Sequence, residues 1–257
     1  MRSYGPCKKC GKILGLAPKP SPSEQAAKSV EAARKALEKP APGVGEHPVT
    51  HREVAIRMQV EYTHGKTDPR ERSLDEILAL LELLRREQIS VYQMLDRSSA
   101  IMRSLFRFRW VAIGLRNPSD GMYRYEVMSG FREDAASARR RQAFKPEDFT
   151  SNKVYKGWDI SPLSKMYFGE DKPYTDGSEV TFNRPILMTS IRRAQDDSLE
   201  ADYLTVRIPG NKDEMLGWIE TSGTITGKLP DIETIKWIEL IAQVLGAAVM
   251  KRRYLVT

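Results

Sequence analysis

The residues best suited to hold a metal or act as nucleophiles, two cysteines and three histidines, all fall within the first 64 positions of this 257-residue chain. Cys7-Lys-Lys-Cys10-Gly11 has the two-thiol spacing of half a zinc knuckle. His47-Pro-Val-Thr-His51 has the H-x₃-H spacing that would complete a Cys₂His₂ set. The Pro- and Ala-rich chain between the halves is longer than an ordinary finger allows, so two CxxC pairs of a dimer sharing one zinc, or a reduced exposed dithiol, are the competing readings. Any zinc is expected on Cys7, Cys10, His47 and His51.

Beyond position 64 the chain contains neither His nor Cys. That removes Ser-His-Asp and Cys-His catalysis, histidine-ligated haem and zinc held by nitrogen and sulfur from the larger part of the chain. No phosphoacceptor histidine is available there, and no glycine-rich nucleotide loop is present. Carboxylate or lysine catalysis stays open, although no paired constellation stands out. A pocket built from these residues is expected to bind rather than transform, which makes the protein a non-enzyme.

Composition agrees with an ordinary globular chain: 40% hydrophobic and 29% charged residues. No apolar run reaches the roughly 20 residues of a membrane span, and no apolar core of a signal peptide is present. The expected address is cytoplasmic, without membrane contact. The formal charge of +7 is concentrated early, because residues 1–40 hold nine Lys/Arg against three Glu. Basicity is therefore a property of the tail, read either as a solvated arm or as a weak nucleic-acid arm.

The elements that would position a site follow from spacing. Residues 1–45 read as a flexible basic tail with the CxxC and a short linker helix, opened by Ser21, Pro22 and Glu24. Residues 46–72 read as a connector in which Val54, Ile56, Met58, Val60 and Tyr62 alternate with polar residues, a strand signal. The main domain spans 73–254 and opens on a Ser73–Glu76 capping box. Leu74, Ile77, Leu81, Leu84, Gln88, Val91 and Leu95 then keep heptad spacing along one helix, a coiled-coil signal. A hairpin follows, with strands over 110–115 and 122–128 about an Asn117–Gly121 turn. Glu133–Phe144 reads as a helix with Arg139, Arg140 and Arg141 on its polar side. The loop-rich stretch 145–200 reads as a binding loop or lid. Strands over 203–208 and 215–221 lead to a helix capped by Asp231, with Ile232, Ile235, Ile238, Ile241, Leu245 and Val249 on its apolar side.

This ordered set resembles the GAF domain, a small-molecule-binding sensor module, over about residues 74–253. The matching residues are Trp110-Val-Ala-Ile-Gly-Leu115 with Asp120-Gly121 and Gly130, Leu204-Thr-Val-Arg-Ile-Pro209, Met215-Leu-Gly-Trp-Ile219, and Ile241-Ala-Gln243 with Ala247-Ala248. The resemblance implies an α+β fold (an α/β sandwich): a central antiparallel sheet with long first and last helices packed on one face. It implies a ligand pocket on the other face, roofed by the irregular middle segment, and dimerisation through the helices over 74–95 and 232–249. The missing cysteines argue against a thioether-linked bilin and against the cysteine chemistry of sulfoxide-reducing members. Asn211-Lys-Asp-Glu214 lacks the spacing of the cyclic-nucleotide signature.

The expected pocket draws on Trp158, Tyr167, Phe168 and Tyr174, with Arg184 or Arg192 neutralising an anionic ligand. The expected function is a sensory protein that binds a small molecule and signals through dimerisation or a partner protein. The rival is a nucleic-acid-binding regulator that uses the basic tail and the CxxC knuckle as arms.

Overall fold

The computed structural model describes residues 51–64, 68–86, 90–150, 155–172, 174 and 177–255. Cys7, Cys10, His47 and the basic tail therefore lie outside the described residues. The chain divides into two compact units, Met1–Thr67 and Asp68–Thr257.

Within the first unit, α1 is a helix over His51–His64 where alternation predicted a strand. A strand needs a neighbour to satisfy its backbone, whereas a helix satisfies its own. Apolar residues spaced by two divide between two sides of a helix, so no single apolar face results. Arg57 and Glu61, one turn apart, close an ion pair of 2.6 Å that only the helix permits. His51, the remaining candidate metal ligand, is the exposed first residue of α1.

The second unit holds α2 (Pro69–Arg85), α3 (Val91–Ser104), β1 (Phe108–Arg116), β2 (Tyr123–Ser129), α4 (Glu133–Arg140), α5 (Pro146–Thr150), β3 (Trp158–Asp159), β4 (Ser164–Tyr167), β5 (Tyr203–Pro209), β6 (Met215–Thr224) and α6 (Ile232–Leu255). The expected capping box at Ser73 is not the helix start. Asp68 caps α2 by accepting the Arg70 N–H at 2.9 Å, Pro69 follows at the first helical position, and Ser73 sits buried inside the helix. The heptad run is also divided, because α2 ends at Arg85 and α3 begins at Val91.

Six strands form one antiparallel sheet in the order β2-β1-β6-β5-β4-β3. Alternation along β5 sends Leu204, Val206 and Ile208 into the core, where α3 and α6 cover one sheet face and α2 packs against both helices. Val111 and Ile113 of β1 and Ile219 of β6 share that side. From α6, Ile235, Ile238, Ile241, Ala242 and Leu245 complete the core. Asp231 caps α6 as expected, accepting the Thr234 N–H at 2.7 Å. Lys251 near its other end donates to the Leu84 carbonyl at 2.8 Å and the Arg86 carbonyl at 3.1 Å. It thus closes the C-terminus of α2 rather than its own helix.

Among the described residues, no helix is long and apolar enough to cross a membrane.

Helix α6 crosses the end of β5 at close range. A Cβ on Gly246 would fall 2.3 Å from the Pro209 carbonyl oxygen, a backbone atom. Alanine is the better helix former by about 1 kcal/mol, but overpacking against a fixed carbonyl costs about 1–3 kcal/mol, so the clash wins. Gly246→Ala is expected to lower the urea midpoint; an unchanged or raised midpoint would show that α6 shifts freely.

Candidate functional site

The sheet face turned away from the three helices carries Tyr203 and Thr205 of β5, Trp218 and Glu220 of β6, and Tyr167 of β4. Trp218 can lie across the sheet only because its register partner on β1 is Gly114. A Cβ there would sit 2.1 Å from the indole. The glycine inside the expected strand is thus a seat for a ring, not a turn.

Four rings surround that indole: Tyr125 and Phe149 with centroids at 5.0 Å, Phe144 at 5.6 Å and Tyr123 at 6.3 Å, all tilted or edge-on. Phe144 reaches this position by a backbone bridge to Tyr123 that prolongs the sheet beyond β2. The Tyr123 hydroxyl donates to the Met215 carbonyl at 2.8 Å. On the opposite side of the face, Tyr167 and Tyr203 stack nearly parallel at 4.5 Å.

Between these groups opens a cleft of about 80 Å³. Nine aromatic side chains line it, together with only three charged ones: Arg139, Asp148 and Glu220. Arg139 comes down from α4 and is buried, because Ala135 and Ala136 place the same helix face against the protein. Its Nη1 bonds Glu220 and, at 3.2 Å, the Tyr125 hydroxyl; its Nε donates to the Thr181 carbonyl at 2.9 Å. The Tyr125 hydroxyl donates to the other Glu220 oxygen at 2.9 Å. The guanidinium also lies 5.0 Å from the Phe131 ring centroid and 5.8 Å from that of Phe182.

Burial works against the charge on Arg139, yet Glu220, Tyr125 and Tyr203 together outweigh burial and hold the arginine pKa above its usual value. Burial, followed by the Glu220 charge, raises the Tyr125 and Tyr203 phenols well above their ordinary range. Burial pushes Tyr167 up to about 12. Tyr125, Tyr167 and Tyr203 are therefore neutral hydrogen-bonding rings at physiological pH.

Of the six residues expected to bind ligand, Tyr167 and Tyr174 line this cleft. Trp158 lies outside its lining, half-exposed on edge strand β3, with its indole N–H on Asp171 at 2.7 Å. Phe168 packs against the main core under the Arg192 guanidinium. Arg184 bonds Glu200 at 2.7 Å and lies over Trp110, while Arg192 bonds Glu170 and Asp202. Both arginines are thus already paired with carboxylates away from the cleft. Among the described residues, no group of three or more His, Cys, Asp or Glu is placed to hold a metal ion.

Sequence reasoning missed Arg139, Glu220, Tyr125 and Trp218. Arg139 was read with Arg140 and Arg141 as a polar side. The signal lay in its spacing, four positions from Ala135 and three from Ala136, which puts it on the small-residue face. Glu220 follows Trp218 by two positions, so the strand period places both on one side.

Because the pair is buried, removing one partner is expected to cost more than removing both. Arg139→Met leaves a buried carboxylate and should destabilise by about 3–5 kcal/mol. Arg139→Met with Glu220→Leu should be more stable than Arg139→Met alone in urea unfolding. A double variant no better than the single one would mean that the pair does not act as a unit.

No family model matches the chain, and no curated protein matches it. Among solved structures it is similar to the A. aeolicus nlh2 GAF domain in an inactive state, at 12% identity over 72% of this chain and 99% of that one, with a TM-score of 0.47. It is similar to the GAF domain/HD domain protein from Geobacter sulfurreducens at 12% identity, covering 66% and 98% of the two chains with a TM-score of 0.46. It is also similar to the GAF domain of a phosphoenolpyruvate-protein phosphotransferase from Coxiella burnetii, at 11% identity over 71% and 95%, with a TM-score of 0.46. The antiparallel sheet with strand order 2-1-6-5-4-3, and the packing of α2 against α6, agree with the architecture that the sequence resemblance implies.

Proposed function

We propose that residues 68–255 form a non-enzymatic sensory module that binds a small molecule in the aromatic cleft and passes its occupancy to a second copy or a partner protein. The observation that carries this reading is the cleft itself, with nine aromatic side chains and a buried Arg139–Glu220 pair on the sheet face the helices leave uncovered. Rings with few polar groups suit a flat organic ligand, and such clefts are the default binding site of a domain. The cleft offers no histidine or cysteine to activate a nucleophile, which supports binding over turnover.

The roof of the cleft supports coupling of occupancy to conformation. Phe144, Phe149, Tyr155 and Phe182 come from short elements and loops, while the sheet beneath them is continuous. A ligand that touches both changes how firmly the roof is held. Native mass spectrometry of freshly purified protein, followed by a thermal-shift screen of a metabolite library, tests the reading. A retained or stabilising small molecule is expected, and its effect should be lost in Phe149→Ala. A protein that no compound stabilises and that carries none from the cell would refute it.

Self-association is the proposed output. Leu74, Leu78 and Leu81 are exposed along one side of α2, at the spacing of successive turns. Helix α6 contributes less than its pattern suggested, because most of its apolar residues are spent in the core; among its described side chains, Ile232 and Leu240 are the large exposed apolar ones. Sedimentation equilibrium should give a dimer that Leu74→Lys with Leu78→Lys converts to monomer; a wild-type monomer at tens of micromolar, on the order of usual working concentrations, would rule this out.

A further inference from the structure

We propose that the cleft takes a ring-bearing organic cation, an ammonium rather than a phosphate or carboxylate, with Asp148 as its counter-ion. This deepens the small-molecule reading above and rests on it.

The charges lining the cleft decide the sign. Arg139 and Glu220 neutralise each other, and each is further engaged by Tyr125. Asp148 has no ion-pair partner among the described residues; its one bond is from the Lys145 N–H, to Oδ2 at 2.8 Å. The half-buried carboxylate stands beside Tyr155, whose phenol is raised by burial and then by the Asp148 charge. Phe144, Phe149 and Tyr155, in mutual edge contact through Phe144, line the same cleft as this carboxylate. Aromatic faces present negative potential to a cation, and a partly buried carboxylate without a counter-ion gains most from one. Three other rings, those of Tyr125, Phe131 and Phe182, stand 5.0–5.8 Å from the Arg139 guanidinium carbon, so aromatic rings of this domain already accommodate one cation.

An anion finds no comparable partner. Arg139 is the only basic residue among the described residues that line the cleft. Lys165 and Arg207 line an adjoining depression, where Lys165 faces Asp159 at 3.5 Å and Arg207 donates to the Asp213 carbonyl at 3.4 Å. Arg184 and Arg192 are held by carboxylates elsewhere.

Three probes of one shape separate charge from shape: benzyltrimethylammonium, benzyl alcohol and benzylsulfonate, titrated calorimetrically into the full chain. The cation is expected to bind at least about tenfold more tightly than the alcohol, and the sulfonate more weakly still. Asp148→Asn should remove that advantage and leave benzyl alcohol binding and the melting temperature unchanged, while Asp148→Glu should keep it. The wild-type comparison stands even where a variant does not fold. Equal or tighter binding of the sulfonate overturns the charge assignment and leaves the small-molecule reading intact. Failure of all three probes also overturns it, with the library screen deciding the broader reading separately. A cation advantage that survives Asp148→Asn places the cation elsewhere and refutes the role of Asp148.

Discussion

The buried ion pair between Arg139 and Glu220 is what joins the loop-built half of the domain to its sheet. One partner stands on α4 and the other in the middle of β6, and both side chains are more than nine-tenths buried. Two charges in such a place are tolerable only with nearly every bond made. Tyr125 and the Thr181 carbonyl supply the missing bonds, so β2, β6, α4 and the 178–181 turn are bound to one geometry. The cleft exists because this knot holds its floor and one wall apart.

The two faces of the sheet are built by different physics. Toward the helices, Leu204, Val206, Ile208, Ile113 and Ile219 make a dry aliphatic core, where area burial dominates. On the other face, large rings pack edge-on around Trp218 with hydroxyls and charges among them. Rings meeting at steep angles leave gaps that aliphatic side chains would fill. A cavity therefore persists on the aromatic face. Gly114 makes this arrangement possible by yielding the space above β1 to the indole.

Much of the scaffold was legible in the residue pattern. The hairpin of β1 and β2, the strand pair β5 and β6, the Asp231 cap and the long last helix all follow from local periodicity and turn chemistry, which need no partner to be read. The failures share a cause. The alternation at 54–62 describes a strand only if another strand pairs with it, and a helix forms instead. The Ser73 box was a valid capping signal, but Asp68-Pro69 offered an earlier one and the helix took the added turn. The site suffered most: Arg139 looked like a solvated charge because its counter-ion is 81 positions away.

What this sequence determined by itself was the β1–β2 hairpin, the β5–β6 pair with the long helix after it, and the absence of histidine and cysteine after position 64. Each depends on residue types and short spacings alone. Tertiary structure alone decided which charges pair, which rings share a cleft and which carboxylate has no counter-ion among the described residues. Those outcomes depend on residues brought together from β2, α4, α5 and β6, and no local pattern encodes the distance between them.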